Sequence, residues 1–487
     1  MYRIFQIALL VFCLTLTAHG SSAAAPGSSL VYFRSDGGIA APGSGSLPEN
    51  LETPDALRWK VPADSGQSSP IFAAGKIFVT GFNRETKVMA TQALAPDSGH
   101  VLWKAIVPAT RLEVFHPSMG SPVPATPACD GQRLYVFFGS YGLICYDLNG
   151  KKIWDHPMGP FQDEYGAGSS PILIDNKVII SQDHDRDSFV AAIDGATGKL
   201  LWQTPRPNAV RSYSTPAIWN RNGRQELLVA GALELTSYDP DNGHALWTAG
   251  GLARIVIPTP VVRADTIYMA SWSPGGDPGS RISLGPWSAA LEKWDKNQDG
   301  FLSRAEVADP NVLDRFFRMD LDGNGKLDKA EWERHAEVFT RAQNSLLALK
   351  PSVDHGELPP SDLQWKHIRG IPYVATPLLD KNIFWMVKDG GIVTRLDATT
   401  GKLLQEERLR GLGGYYASPV TGDGKVYFAS EQGVVTVVAN DPEWRIISSR
   451  EFREKIYASP LIFGDRVLIR TDQALYCFAA TGKSSAP

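Results

Sequence analysis

The apolar residues of this chain fall into short runs that polar turns separate. Runs rich in β-branched and aromatic residues occupy positions 134–137, 178–180 and 426–428, and each closely follows a turn that contains Asp, Asn or Gly. Such runs, bounded by turn residues, are typical of β-strands. The pattern therefore predicts a chain made mostly of short strands joined by tight turns.

A Ser/Thr-Pro step followed by an apolar strand recurs eight times along the chain. Most steps are 41 to 45 residues apart, which is the length of one four-stranded propeller blade. Two intervals are longer, with 57 residues after the first step and 117 after the fifth. The repeat therefore predicts a mainly β fold, an eight-bladed β-propeller. The prolines of the steps are Pro70, Pro127, Pro171, Pro216, Pro260, Pro377, Pro419 and Pro460.

Most repeats then continue to a glycine turn and a strand that carries Trp. The clearest copy contains Ala192, Asp194, Thr197, Gly198 and Trp202. Glycine supplies the positive φ of the turn, and the Trp ring can be buried between neighbouring blades. The last repeat lacks such a Trp strand, whereas the strand around Trp59 precedes the first step. We therefore expect the N-terminal strand to complete the last blade, which closes the ring and leaves no open sheet edge.

The Ala-x-Asp-x-x-Thr-Gly-x-x-x-Trp string at residues 192–202 resembles the tryptophan-docking motif of the quinoprotein (PQQ-like) propellers. That family includes the pyrroloquinoline quinone (PQQ) dehydrogenases and the outer-membrane assembly lipoprotein BamB. The resemblance implies the fold over roughly residues 55–280 and 360–480, but the motif is structural and does not establish quinone binding. PQQ alcohol dehydrogenases resemble one another in an adjacent Cys-Cys pair, which this sequence lacks. PQQ is therefore a cofactor that the resemblance allows but that we do not expect.

The 117-residue interval exceeds one blade by about 73 residues and contains two twelve-residue motifs of the EF-hand type. Both have oxygen-bearing side chains at positions 1, 3 and 5, Gly at position 6 and Glu at position 12, while position 7 needs only a backbone carbonyl. Hard oxygen ligands in a flexible shell select Ca²⁺ over Mg²⁺, so we predict two Ca²⁺ ions. The expected ligands are Asp295, Asn297, Asp299, Phe301, Ser303 and Glu306 in the first loop, and Asp320, Asp322, Asn324, Lys326, Asp328 and Glu331 in the second.

Helical patterns flank the two loops at residues 288–294, 312–318 and 329–349. The last of these places Trp332, Phe339 and Leu346 at a spacing that would face one core. The predicted organisation is a signal peptide at 1–24, a first propeller part at 55–279, a small all-α EF-hand pair at 280–351 and a second propeller part at 360–480.

Polar side chains gather in loops that are predicted to share one face of the propeller. The residues around Asp183 and His184 have two interpretations, a metal or ligand site and a solvated loop. Three tyrosines stand three residues before a step proline, so that this face could form a ligand funnel at the central channel, or the tyrosines could cap the repeats by packing. The candidate ligand-binding residues are Glu164, Asp183, His184, Arg211, Tyr213, Arg254, Arg369, Tyr373, Tyr416 and Tyr457.

The first residues have the pattern of a secretory signal peptide. Arg3 precedes a mostly apolar stretch at 4–17, and small residues follow at 22–24. A lipoprotein anchor competes, but Cys13 follows Phe12, where a lipobox requires a small residue. No later stretch approaches about 18 apolar residues. We therefore expect a mature chain without a transmembrane segment, located in the periplasm or outside the cell.

Charge and cysteine content narrow the function further. The net charge is −4 and there is no basic block, so nucleic-acid binding is not expected. Three cysteines, Cys129, Cys145 and Cys477, would remain after signal cleavage. A Cys129–Cys145 bridge competes with the interpretation of three buried thiols, which we favour.

These features predict an exported, calcium-binding β-propeller that acts as a non-catalytic binding or scaffold protein in the cell envelope, with protein partners. No Ser-His-Asp arrangement or phosphate loop stands out. A periplasmic PQQ-dependent oxidoreductase is the alternative, since a polar funnel at the channel could hold a ligand. A third hypothesis treats the EF-hands as a Ca²⁺ sensor that moves a partner-binding helix.

Overall fold

The computed structural model describes residues 30–110, 112, 116, 120–163, 165–277 and 283–481. Its long strands form eight sheets, each with four antiparallel strands and each starting just after one Ser/Thr-Pro step. The eight-bladed propeller that the steps predict is therefore confirmed. The predicted signal peptide at 1–24 lies outside the described residues.

The blades are numbered here by the order of their innermost strands. The strands of blades 1 to 4 are Ile71–Ala73, Lys76–Asn83, Val88–Leu94 and Val101–Pro108; Ala128–Cys129, Arg133–Phe137, Leu143–Asp147 and Lys152–His156; Ile172–Ile174, Lys177–Gln182, Phe189–Asp194 and Leu200–Pro205; and Ala217–Arg221, Arg224–Ala230, Glu234–Tyr238 and Ala245–Gly250. The strands of blades 5 to 8 are Val261–Arg263, Thr266–Ser271, Ser345–Leu349 and Leu363–His367; Leu378–Asp380, Ile383–Lys388, Ile392–Asp397 and Leu403–Arg408; Val420–Gly422, Lys425–Ala429, Val434–Ala439 and Ile446–Glu451; and Leu461–Phe463, Arg466–Arg470, Ala474–Ala479 and Leu57–Pro62.

The second and third strands of a blade are covered on both faces, because each sheet packs between two neighbours. In blade 3, Lys177–Gln182 and Phe189–Asp194 are buried at every position except one end residue of each strand. The outer strand Leu200–Pro205 instead alternates between exposed and partly buried positions. This difference explains why the inner strands are continuous apolar runs in the sequence while the outer strands are mixed.

The Trp of one blade packs on the glycine turn of the next, as predicted, and the rings are buried or partly buried there. Each of these glycines has positive φ, and an added Cβ would lie 2.3–2.6 Å from the ring. The indole N–H also donates to a backbone carbonyl of the next blade at 2.9–3.1 Å. The pairs are Trp59 with Gly99, Trp103 with Gly150, Trp154 with Gly198, Trp202 with Gly243, and Trp365 with Gly401.

A ring of hydrogen bonds joins the innermost strands. The residue before each step proline donates its backbone N–H to the hydroxyl of the equivalent residue in the next blade, at 2.9–3.0 Å, at every junction but one. The exception lies between blades 4 and 5, where the Thr259 hydroxyl is buried without a hydrogen-bond partner. There, Ser214 Oγ donates to the Pro258 carbonyl instead, at 2.8 Å. The Ser or Thr of the step thus links neighbouring blades.

Two blades contain strands from distant parts of the chain. In blade 8, Leu57–Pro62 pairs antiparallel with Ala474–Ala479, and Trp59 lies opposite Cys477. In blade 4, Gly356–Glu357 adds a fifth, parallel strand to the outer edge. Both additions cover strand edges that would otherwise be exposed to pairing.

The insertion leaves blade 5 after its second strand and returns at its third. Its described residues contain four α-helices and a two-residue ladder between Leu302–Ser303 and Lys326–Leu327. The helices are α1 at Trp287–Trp294, α2 at Pro310–Leu313, α3 at Phe316–Met319 and α4 at Lys329–Arg341.

The helix predicted for residues 329–349 is wrong in its second half. It ends at Arg341, and Ser345–Leu349 is the third strand of blade 5. Leu346 satisfies a helical spacing, but it pairs across the blade with Ala270. All five residues of the segment are buried, as are most residues of the other inner strands. The insertion therefore ends before residue 345 rather than at 351.

Candidate functional site

Three carboxylates of the second loop come together. Asp320, Asp322 and Glu331 each place an oxygen within 4.8 Å of the others. The N–H of Gly325 donates to Asp320 Oδ2 at 2.9 Å and closes the loop, whereas Asp320 Oδ1 is buried without a hydrogen-bond partner. A buried, unpaired carboxylate oxygen beside two further carboxylates is unfavourable unless a cation compensates it. The oxygen donors of this loop therefore fit Ca²⁺.

Glu331 connects the two ends of this loop. It lies in the first turn of α4, where its Oε2 accepts the Asp328 N–H at 3.0 Å and Asp328 in turn caps the helix. Its Oε1 accepts the N–H of Leu321 at 2.6 Å. Burial raises the pKa of Glu331. A cation at the second loop would thus be held in part by a residue in the first turn of α4.

The first loop has a similar frame but a different set of charges. The N–H of Gly300 donates to Asp295 Oδ2 at 3.0 Å, as the corresponding groups do in the second loop. The ammonium of Lys326 lies 2.7 Å from Asp299 Oδ2 and lowers the pKa of Asp299. Within the described residues, only the second loop forms a three-carboxylate cluster. Lys326 therefore forms an ion pair with one of the carboxylate oxygens that the first loop would offer to Ca²⁺.

The two loops form one unit. Leu302 pairs with Leu327 in the short ladder between them, and both side chains are fully buried. Trp332 contacts the rings of Trp287 and Trp294, with centroids 5.8 and 6.0 Å apart. This core holds the flanking helices together and fixes the position of both loops.

Helix α4 seats the insertion on the propeller. Arg334 donates to the Pro207 carbonyl at 2.8 Å, and the N–H of Gln343 donates to the Leu252 carbonyl at 2.9 Å. An apolar contact lies beside these hydrogen bonds. Its residues are Val338 and Ala342 on the insertion side, and Val210, Ala232 and Leu233 on the propeller side. The helix that starts at the second loop therefore also contacts the propeller.

A cavity of about 230 Å³ lies where the innermost strands meet. Several Ser and Thr residues of the steps line this cavity. Aromatic side chains, among them Phe33 and Tyr165, also line it. Four predicted ligand-binding residues also line it. They are Tyr213, Tyr373, Tyr416 and Tyr457. The structure thus brings these tyrosines together at the channel, as the funnel hypothesis requires.

The other predicted ligand-binding residues lie elsewhere. Arg211 and Arg254 line a small pocket between the insertion and the propeller. Arg369 lines a separate cavity of about 390 Å³, which shares Tyr373 with the channel. Glu164 lies outside the described residues.

Asp183 and His184 are buried and do not line the cavity. Asp183 accepts hydrogen bonds from Arg206 at 2.7 and 3.1 Å. The His184 ring stacks on Phe161 at 4.2 Å, and its Nδ1 lies 3.4 Å from Asp163. Because a buried charge needs a partner, the pairing of Asp183 with Arg206 favours a structural role for Asp183 over the metal or ligand site considered for this loop.

The phenol groups of Tyr213, Tyr416 and Tyr457 remain protonated near neutral pH. Burial raises the pKa of Tyr416 to about 12 and also raises the pKa values of Tyr213 and Tyr457. Tyr457 donates to Glu431, at 3.2 Å. Glu431 is an acidic residue that lines the cavity, and the described lining residues include no Lys, Arg or His. The cavity therefore presents hydroxyl groups and aromatic rings rather than positive charge.

A segment that the sequence analysis missed crosses the channel. Residues 30–40 make β-bridges at their two ends with the innermost strands of blades 2 and 7. Arg34 donates to the carbonyls of Pro377 and Pro419 at 3.1 Å each, and Phe33 reaches the cavity. The sequence signal for this stretch is the short apolar run at 30–33, which lies outside the Ser/Thr-Pro repeat and was therefore not assigned to the propeller.

The three cysteines are free thiols in buried positions. Burial raises the pKa of Cys129 to about 11 and that of Cys145 to about 12. The Cys129–Cys145 bridge that the sequence left open is not formed. These residues behave as small apolar side chains of the blades.

The blades, their docked tryptophans and their spacing define the class of this protein as an eight-bladed β-propeller with PQQ-like repeats. A family model described as outer membrane protein assembly factor BamB matches residues 50–164 and 90–273. The crystal structure of BamB from Moraxella catarrhalis is similar with a TM-score of 0.53 and 14% identity, covering 86% of this chain and 98% of that one. The computationally designed Ika8 protein is similar with a TM-score of 0.51 and 10% identity, covering 87% of this chain and 99% of that one.

At these identities the two solved structures show the fold alone. No curated protein matches the sequence. None of the helices in the described ranges is long and apolar enough to cross a membrane.

Proposed function

We propose that this chain is an exported, calcium-binding β-propeller that acts as a non-catalytic binding or scaffold protein in the cell envelope. The calcium part rests on the carboxylate cluster of the second loop, in which Asp320 Oδ1 is buried and unpaired. The first loop repeats the same twelve-residue pattern and pairs with the second, which supports two ions. Export rests on the signal-peptide pattern of residues 1–24.

The binding or scaffold role rests on the BamB family match and on the form of the propeller. The family is described as an outer membrane protein assembly factor. A propeller presents one broad face made of loops, and here the insertion is seated on that face through α4. In this proposal the face with the insertion engages a protein partner of the envelope.

A PQQ-dependent oxidoreductase is the alternative, and the channel lining disfavours it. PQQ carries three carboxylates, which basic side chains recognise best. The described residues of the cavity wall include Glu431 but no basic side chain. The purified protein should therefore leave the absorbance spectrum of added PQQ unchanged in the presence of Ca²⁺. A stoichiometric spectral change, followed by dye reduction with alcohols or sugars, would favour the enzyme instead.

Calorimetry on the full-length protein tests the calcium part. We expect two Ca²⁺ ions, with modest affinities of roughly 10⁻⁴ to 10⁻³ M as in other extracellular modules. Glu331→Gln should remove one ion. Glu333→Gln is the matched control, because Glu333 is two residues away and exposed but outside the loop. Absence of Ca²⁺ uptake by the folded protein at millimolar concentration would contradict the proposal.

Affinity isolation from envelope extracts tests the partner part. The wild-type protein should retain a defined envelope protein that a variant with substitutions on the face of the insertion does not retain. The exposed side chains of Arg341 and Lys329 on α4 suit such a variant. Equal retention by both proteins would place the partner surface elsewhere and contradict this face as the binding site.

A further inference from the structure

A small pocket that is rich in arginine lies between the insertion and the propeller. Arg211 and Arg254 reach it from the loops that lead into blades 4 and 5, and Arg318 and Arg334 reach it from α3 and α4. Its described lining includes four arginines but only two carboxylates. The pocket volume is about 40 Å³, whereas a cavity that holds a single water molecule needs about 10–15 Å³. There is therefore room for one small group.

Both carboxylates of this pocket are already engaged. Asp185 accepts two hydrogen bonds from Arg211, at 3.2 and 2.5 Å. Glu331 accepts backbone N–H groups within the second loop. Within the described parts of the chain, neither carboxylate pairs with Arg254. Among the described residues, Arg254 therefore has no carboxylate partner in this pocket.

Arg254 is the residue that most needs a partner. Its Nε is buried without a hydrogen-bond partner, and its guanidinium lies 5.2 Å from the ring of Phe339. Burial lowers the pKa of Arg254 to about 10, and the neighbouring guanidinium groups of Arg318 and Arg211 contribute to this shift. The Nε2 of His335 in the same pocket is also buried and unpartnered. Buried donors without acceptors are unfavourable, so both groups point to a missing acceptor.

We infer that this pocket binds one oxyanion, the phosphate or carboxylate group of a small molecule, with Arg254 as its main partner. An oxyanion accepts several N–H groups at once and matches the planar fork of a guanidinium. It would satisfy Arg254 and, through a neutral imidazole that is protonated at Nε2, His335 as well. The small volume limits the bound portion to the anionic group itself.

Calorimetry with inorganic phosphate and, in a separate arm, with acetate tests this inference on the full-length protein. Phosphate should bind the wild type, and Arg254→Gln should weaken binding by about tenfold or more, since a charge-assisted hydrogen bond is lost. Arg445→Gln is the matched control, because Arg445 is exposed and pairs with Asp441 in blade 7. Its affinity should equal that of the wild type. Binding of phosphate alone identifies a phosphate site, and binding of acetate as well identifies a general oxyanion site.

Thermal unfolding separates binding from a purely structural role of Arg254. Without an anion, Arg254→Gln should raise Tm, because one of several neighbouring positive charges is removed. Phosphate should raise the Tm of the wild type but not that of the variant. A lower Tm for Arg254→Gln together with unchanged phosphate binding would overturn the inference. So would the absence of both heat and Tm change with millimolar phosphate and acetate.

Discussion

The hydroxyl of Thr126 should stabilise the propeller more than the hydroxyl of Thr259, although both residues hold the same position in the repeat. Thr126 Oγ1 accepts the Ser69 N–H at 3.0 Å, and the residue is only 2% exposed. Thr259 Oγ1 is buried and has no hydrogen-bond partner. Valine keeps the shape of threonine but removes the hydroxyl. We therefore expect Thr126→Val to destabilise the protein and Thr259→Val to be neutral or stabilising.

The magnitude follows from the groups that each substitution leaves behind. In Thr126→Val the Ser69 N–H loses its acceptor, and an unsatisfied buried donor costs about 1–3 kcal/mol. Ser69 lines the channel cavity, where water can replace part of the lost bond, so about 1–2 kcal/mol is expected. Thr259→Val loses no such bond, and removal of an unpaired buried hydroxyl favours the folded state by up to about 1 kcal/mol. The two variants should differ by about 1–3 kcal/mol.

Equilibrium unfolding in urea measures this difference. Tryptophan fluorescence and far-UV circular dichroism should give coincident transitions before free energies of unfolding are compared. Thr126→Ser keeps the acceptor and should restore most of the stability. Thr376→Val should repeat the loss, because its hydroxyl accepts the Thr259 N–H at 3.0 Å. Equal effects of Thr126→Val and Thr259→Val would refute the reasoning.

The calcium loops and the blade contacts give three further predictions. Lys326→Met should strengthen Ca²⁺ binding by the first loop in calorimetry, because the ammonium no longer competes for a ligand oxygen; unchanged affinity would contradict this. Gly243→Ala should lower Tm more than Gly223→Ala, since both glycines have positive φ but only at Gly243 would the Cβ meet a tryptophan ring, at 2.3 Å; equal losses would exclude the ring contact as a cause. Ca²⁺ should lower the Kd for phosphate relative to a chelator, because Glu331 lines the anion pocket and would then be bound to a cation; equal Kd values would show that the sites are independent.

The propeller could be predicted because its repeat is local. The Ser/Thr-Pro step begins each innermost strand, and a glycine turn followed by a Trp strand ends most blades, usually within about 45 residues. The loop residues of the insertion could also be identified from the sequence, because the twelve residues of each loop are contiguous. The role of the step hydroxyls was not predicted although Ser or Thr stands at every step, because the hydrogen bonds of these hydroxyls join different blades and their partners are distant in the sequence.

Contacts between distant segments account for the other differences. Leu346 satisfies a helical spacing after α4, but pairing with Thr266–Ser271 makes Ser345–Leu349 a strand. The segment at 30–40 is held in the channel by carbonyl groups of two step prolines, which no sequence pattern of its own indicates. Asp183 and His184 resemble a polar loop in the sequence, yet the fold buries both beside charged partners. In each case tertiary contacts override local propensity.

The place of the insertion has a consequence for chain entropy. In blade 1, residues 84–87 connect the second and third strands, whereas residues 272–344 make the same connection in blade 5. Closing the longer loop costs about 2.5 kcal/mol more if it is flexible. Asn344 ties its base through hydrogen bonds with the backbone of Ser273, at 2.9 and 3.1 Å. A folded insertion with a tied base removes most of this entropic cost, so we expect the insertion to fold before blade 5 closes.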